Sequence, residues 1–162
     1  MSTSLLKPAQ EGPWLCIGKV LALGLLLTFV IPLLSFFVCG VRNGMGLGES
    51  AQALAVQLTQ PRHNPALSAI PALLPLLALG IVLWVLSRYR PAANLFHYGV
   101  AALGGLALIQ LWVNWSFWDI YLPQRVYPGF PHGLEFIIGP IFFSPLAMVL
   151  CLVGVALVAR KR

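Results

Sequence analysis

The sequence predicts an all-α integral membrane protein, a four-transmembrane-helix bundle with both termini in the cytoplasm. Three observations predict it. Of 162 residues, 59% are hydrophobic and only 9% are charged, against about 25% charged in an average soluble domain. Mean hydropathy is +0.88. Four apolar runs reach the ~20 residues that a helix needs to cross a bilayer. Lys and Arg gather at the ends of those runs, with a bias to one side. This composition excludes a disordered chain, a soluble enzyme domain and a disulfide-rich secreted domain. The chain reads as a single membrane domain over 1–162, with spans at about 15–41, 67–86, 95–118 and 134–159 and outer loops at 42–66 and 119–133.

Residues 1–14 are polar and hold Pro8, Gly12 and Pro13, so they read as a short leader. The first span follows. Its apolar core from Val20 to Val41 is too long for a typical signal-peptide core. Val38 stands before Cys39, where a lipoprotein signal needs a small residue, so the run is expected to stay as a helix. Gly44, Gly46 and Gly48 break it. Within ESAQALAVQL, from Glu49 to Leu58, Leu54 and Leu58 are four apart with Ala51 and Ala55 beside them. That spacing predicts a short amphipathic helix lying on the surface. Pro61 and Pro65 end it.

The second span carries Pro71 and Pro75, which membrane helices tolerate as kinks. Arg88, Tyr89, Arg90 and Pro91 make a tight turn. The third span has no internal proline and is expected to be the central helix. Ala101, Gly104 and Gly105 offer small side chains for close helix packing. Residues 119–133, DIYLPQRVYPGFPHG, read as a proline-rich aromatic loop. The fourth span contains Pro140 and Pro145, and Arg160, Lys161 and Arg162 follow it.

Four spans put the leader, the Arg88–Arg90 turn and the C-terminus on one side. That side holds Lys7, Lys19, Arg88, Arg90, Arg160, Lys161 and Arg162 against Glu11, a net +6. The other side holds Arg42, Arg62 and Arg125 against Glu49, Asp119 and Glu135, a net zero. Seven basic residues against three predict cytoplasmic termini. Trp84 and Tyr89 at one level, and Trp112, Trp115, Trp118, Tyr121 and Tyr127 at the other, suit the headgroup layers. Compact loops and Leu/Ala-rich spans suggest a bacterial inner membrane. Because the basic charge sits in clusters at span ends, it marks topology and gives no reason to expect nucleic acid.

Gln110, Asn114 and Trp118 are spaced i, i+4, i+8 on the third span and so share one helix face. Amides in hydrocarbon need hydrogen-bond partners, which turns that face toward the bundle or a partner helix. His63, Asp119, Arg125, His132 and Glu135 form a second candidate group near the outer face. Their spacing follows no metal-ligand signature, so no metal is expected. His97 is the one histidine near a span and no axial pair exists for haem; no cofactor is expected. Cys16, Cys39 and Cys151 lie far apart and form no CxxC. No nucleophile elbow or phosphate loop occurs.

The functional expectation is a small polytopic inner-membrane protein, a non-enzymatic accessory or interaction protein acting through intramembrane helix packing. Its partners are the lipid bilayer and either another membrane protein or a second copy of itself. A small oligomeric transporter or channel is the alternative, although no acid or base lies at mid-membrane to couple protons. A lipid- or quinone-directed enzyme using Asp119, His132 and Glu135 is a weaker third.

Overall fold

The computed structural model describes residues 12–60, 63–124 and 134–160. Their regular structure is helical, with no strand among the described residues. The helices are α1 (Pro13–Arg42), α2 (Leu47–Thr59), α3 (Leu73–Leu86), α4 (Ala92–Gln124), α5 (Glu135–Ile138) and α6 (Ser144–Arg160). A 3-10 turn, Leu67–Ala72, leads into α3, and a π turn, Gly139–Phe143, joins α5 to α6. Four helical stretches are long and apolar enough to cross a membrane: Pro13–Arg42, Leu67–Leu86, Asn94–Pro123 and Phe136–Val158. By length and composition these four fit a multi-pass transmembrane protein.

Local chemistry explains the boundaries. Pro13 sits at the first turn of α1, where its missing N–H is no loss. At the far end Arg42 favours the negative helix terminus. Asn43 and Gly44 stop the helix, Gly44 with φ +89°, a conformation open to glycine. The surface helix α2 starts on half a capping box: the Gly46 N–H donates to Glu49 Oε2 at 2.9 Å. Glycine has no side chain to return the bond.

The prolines of the second and fourth spans act differently. Pro71 lies in the 3-10 turn, so the second span is tightened at its start instead of bent in the middle. In the fourth span Pro140 and Pro145 bracket a widened turn, in which the Ser144 N–H reaches back to the Gly139 carbonyl. Each proline removes a donor from the α-helical ladder, and a π turn is one local way to accommodate the freed carbonyls.

Packing contacts fix the topology. Along α1 and α4, Val20 lies against Gly99, Gly24 against Leu103, Phe36 against Trp118 and Arg42 against Asp119. Both residue series rise together, so α1 and α4 run parallel. Gly24 meets Leu76 while Leu21 meets Gly80, so α1 and α3 are antiparallel. Gly105 meets Ala147 while Val113 meets Gly139, so α4 and α6 are antiparallel too. The order is up, down, up, down. The Pro13 end of α1, the turn after α3 and the Arg160 end of α6 share one end of the bundle. The short helix α2 lies at the other.

The third helical segment corrects the sequence expectation. The sequence predicts a span ending at about 118 and a loop beyond it. Instead α4 continues to Gln124, roughly 50 Å in all at 1.5 Å per residue. Two partners support the extension. Asp119 forms an ion pair with Arg42 at 3.2 Å. Pro123 cannot donate to the Asp119 carbonyl, and the Asn43 side-chain amide approaches that oxygen at 3.5 Å. The remainder of the expected loop, 125–133, lies outside the described residues.

The core has two apolar clusters. One, toward the end that holds Pro13, includes Val20, Leu76, Leu79, Leu83, Leu103, Leu106 and Met148. The other, at the α2 end, includes Phe36, Cys39, Val113, Phe117, Trp118 and Phe136. The fourth span is the least buried of the four and leans chiefly on α4.

Candidate functional site

Between the two clusters lies a thin polar layer built by α4. Gln110, Asn114 and Trp118 are each no more than 1% exposed. The Asn114 amide donates to the Gln110 carbonyl at 2.9 Å and to Gln110 Oε1 at 3.2 Å. On the other side, the Ser68 hydroxyl lies 3.3 Å from Asn114 Oδ1 and 2.7 Å from the Pro65 carbonyl. Its single proton serves one acceptor at a time, and the shorter contact is with Pro65. The 3-10 turn before α3 is what delivers Ser68 to this level. Among the described residues, Gln110 Nε2 and Trp118 Nε1 are buried without a hydrogen-bond partner. Each such donor costs about 1–3 kcal/mol.

Trp118 is the hub of an aromatic cluster. Phe36 and Phe117 meet it edge-on at centroid distances of 4.8 and 4.7 Å. Phe117 also meets Phe136 at 4.6 Å. Ring edges against ring faces are the favoured arrangement for such pairs. Sequence reasoning missed Phe36, Phe117 and Phe136. An apolar residue on an apolar span carries no signal of which way it faces.

The small residues of α4 behave differently from one another. At Gly105 a Cβ would lie 2.6 Å from the Ala147 carbonyl carbon and oxygen and 2.7 Å from the Met148 nitrogen. The backbones of α4 and α6 therefore touch there, as only glycine permits. Gly104, one residue earlier and about 100° around the helix, is exposed with nothing within 4 Å. It takes no part in that contact. Ala101 is half-buried.

Of the outer-face group, the two members whose side chains are described, His63 and Asp119, are not brought together. Asp119 is engaged by Arg42, whose guanidinium also lies 5.5 Å from the centre of the Trp115 ring. The His63 ring stacks beside Phe117 and Tyr121, at 6.3 and 5.4 Å. Residues 117 and 121 lie on one face of α4 and residue 119 roughly opposite, so His63 and Asp119 occupy different sides of the helix. Arg125 and His132 lie outside the described residues, as does the side chain of Glu135 at the start of α5. Among the described residues, no three His, Cys, Asp or Glu side chains converge in a way that could hold a metal ion.

The α2 end does form a concavity. A groove of about 280 Å³ runs between α2 and the ends of α1 and α4. Phe36, Ala53, Val56, Tyr121 and Leu122 supply its apolar surface, and Glu49, Gln52 and Gln57 its polar side. The extension of α4 past Trp118 creates one wall. The helix α2 is seated by Ser50, which is fully buried with its Oγ over Gly40, where a Cβ would lie 2.8 Å from it. Ala53 and Leu54 pack on the aromatic cluster, and the Gln57 amide donates to the His63 carbonyl at 3.0 Å. The inward face of α2 is thus Ser50, Ala53, Leu54 and Gln57. Of the expected apolar stripe, Leu54 packs inward, and Ala51, Ala55 and Leu58 are exposed. A serine fits over the Gly40 notch and a larger apolar side chain does not.

No protein-family model, curated protein or solved structure matches the chain.

Proposed function

We propose that this multi-pass protein resides in a bacterial inner membrane with both termini in the cytoplasm, and acts there as a non-enzymatic accessory or interaction protein through intramembrane helix packing. One observation carries the reading. The amides of Gln110 and Asn114 are closed between two apolar clusters and bonded to each other, with the Ser68 hydroxyl of the neighbouring span 3.3 Å from Asn114 Oδ1. A polar pathway needs such groups on a wetted surface. Here they act as interhelical glue, leaving the apolar exterior as the surface that meets a partner.

Asn114→Leu is expected to cost about 1–2 kcal/mol in a denaturant titration of the detergent-solubilised protein. Loss of assembly with unaltered solute flux in proteoliposomes supports glue. Altered flux with assembly intact supports a pathway. The reading as a whole is tested by gentle extraction from native membranes and native mass spectrometry. A heteromeric particle is the expected result; a lone monomer or a homo-oligomer overturns it.

The orientation rests on the seven-to-three bias of basic residues. A green fluorescent protein fused to the C-terminus is expected to fluoresce, and alkaline phosphatase fused there to be inactive. The reverse pattern would invert the assignment.

A further inference from the structure

Each of the four spans sends a polar side chain to one level of the bundle. Gln110 and Asn114 come from α4, and Ser68 from the 3-10 turn before α3. Ser35 comes from α1. It lies one turn before Cys39, whose thiol meets the Trp115 carbonyl, and Gly24 lies against Leu103. In parallel helices those contacts set Ser35 level with residues 111–114 of α4. Ser144 comes from α6. Gly105 meets Ala147 and Val113 meets Gly139, so Ser144 falls level with Leu108, two residues or ~3 Å along the axis from Gln110. It shares a helix face with Ala147 and Met148, whose backbone meets Gly105. Ser35 is 2% exposed and Ser144 fully buried. Thr28, also on α1, bonds the Gly24 carbonyl one turn back at 2.8 Å, the usual recourse of a hydroxyl inside a membrane helix. Ser35 and Ser144 make no such bond. Among the described residues, their Oγ atoms and Gln110 Nε2 are buried without a hydrogen-bond partner.

We propose that this layer is a binding site for internal water, which bridges the Gln110 amide to the hydroxyls of Ser35 and Ser144. The groups to be met are one amide donor and two hydroxyls, all neutral. A metal cation is repelled by the amide hydrogens, and the spans carry no charge near this level to hold an anion. Water accepts from the amide and donates to a hydroxyl, and a buried water makes about three such bonds. Asn114 Oδ1 offers a further acceptor, because the Ser68 proton is nearer the Pro65 carbonyl. Phe36, Val113 and Phe117 close the layer on one side and Leu103, Leu106 and Met148 on the other, so the water is held and not passed. The inference deepens the glue reading and rests on it: the water extends the Gln110–Asn114 bond to α1 and α6. A dry layer overturns the inference and leaves direct glue standing, whereas solute flux overturns glue itself.

The experiment crystallises the full chain from a lipid mesophase and maps solvent density inside the bundle. A solvent peak within hydrogen-bond distance of Gln110 Nε2 and of at least one of the two hydroxyls is expected. A layer with no such peak, or one in which the serine hydroxyls bond Gln110 directly, overturns the proposal. Ser35→Ala and Ser144→Ala, unfolded by denaturant in one detergent, give an independent readout. Alanine removes the hydroxyl and nearly preserves the packing. A bridging water then loses an anchor, so each variant is expected to raise the unfolding equilibrium constant about fivefold. A hydroxyl buried without water has no bond to lose, and its removal is neutral or stabilising. That result in both variants overturns the proposal.

Discussion

Gly105→Val is expected to lower stability by about 3 kcal/mol, the upper part of the usual range for overpacking. A Cβ at this position falls 2.6 Å from the carbonyl of Ala147. The obstacle is backbone, which cannot rotate away as a side-chain tip can. Helices α4 and α6 must then separate along the contact that chiefly holds the fourth span. The adjacent position supplies the control. Gly104 faces open space, so Gly104→Ala is expected to be neutral or to add up to about 1 kcal/mol, the usual helical gain of alanine over glycine. Gly105→Ala is expected to be destabilising. Opposite signs at neighbouring glycines, read by thermal unfolding in one detergent, test the α4–α6 packing directly. A neutral Gly105→Ala would sink it.

Trp118→Ala is expected to cost about 3–5 kcal/mol, as large-to-small changes at buried aromatics do. Trp118 is fully buried and contacts Phe36 and Phe117 through its ring. Removing it leaves a cavity between α1, α4 and α5, and such a site collapses poorly. Trp118→Phe should be far milder, under about 1.5 kcal/mol. Phenylalanine keeps most of the ring contacts and deletes an indole N–H that finds no acceptor among the described residues. If phenylalanine proves as costly as alanine, the N–H is bonded and the burial argument for this position fails.

Which features were legible in the sequence follows from their physics. Span number and approximate bounds were, because apolar length against bilayer thickness is a one-dimensional property. The clustering of Gln110, Asn114 and Trp118 on one face was legible as well, since helical geometry alone sets it. The partner Ser68 was not: it comes from another element, delivered by a 3-10 turn. The end of α4 was misjudged because Asp119 and Pro123 are loop-prone in isolation. Their compensation, Arg42 and Asn43, lies some 76–77 residues away in sequence. The distinction between Gly104 and Gly105 depends on a single helical step, and only a neighbouring helix reveals it. The inward face of α2 was hidden for a similar reason, since Ser50 is inward only because Gly40 is opposite. The groove was invisible because its walls come from three separate helices.

The parallel seam between α1 and α4 has a consequence for biogenesis. Its two halves are separated in the chain by a complete descending span, so the seam cannot close until the third hydrophobic segment has been synthesised. That segment is also the least apolar of the four, and it carries the amides of Gln110 and Asn114 into the membrane. When it leaves the ribosome, the N-terminal segment that will receive it has already been made. The N-terminal hairpin thus provides a waiting surface, and the weakest inserter arrives last among the first three spans. A chain truncated after the second span would present this seam unoccupied to the insertion machinery.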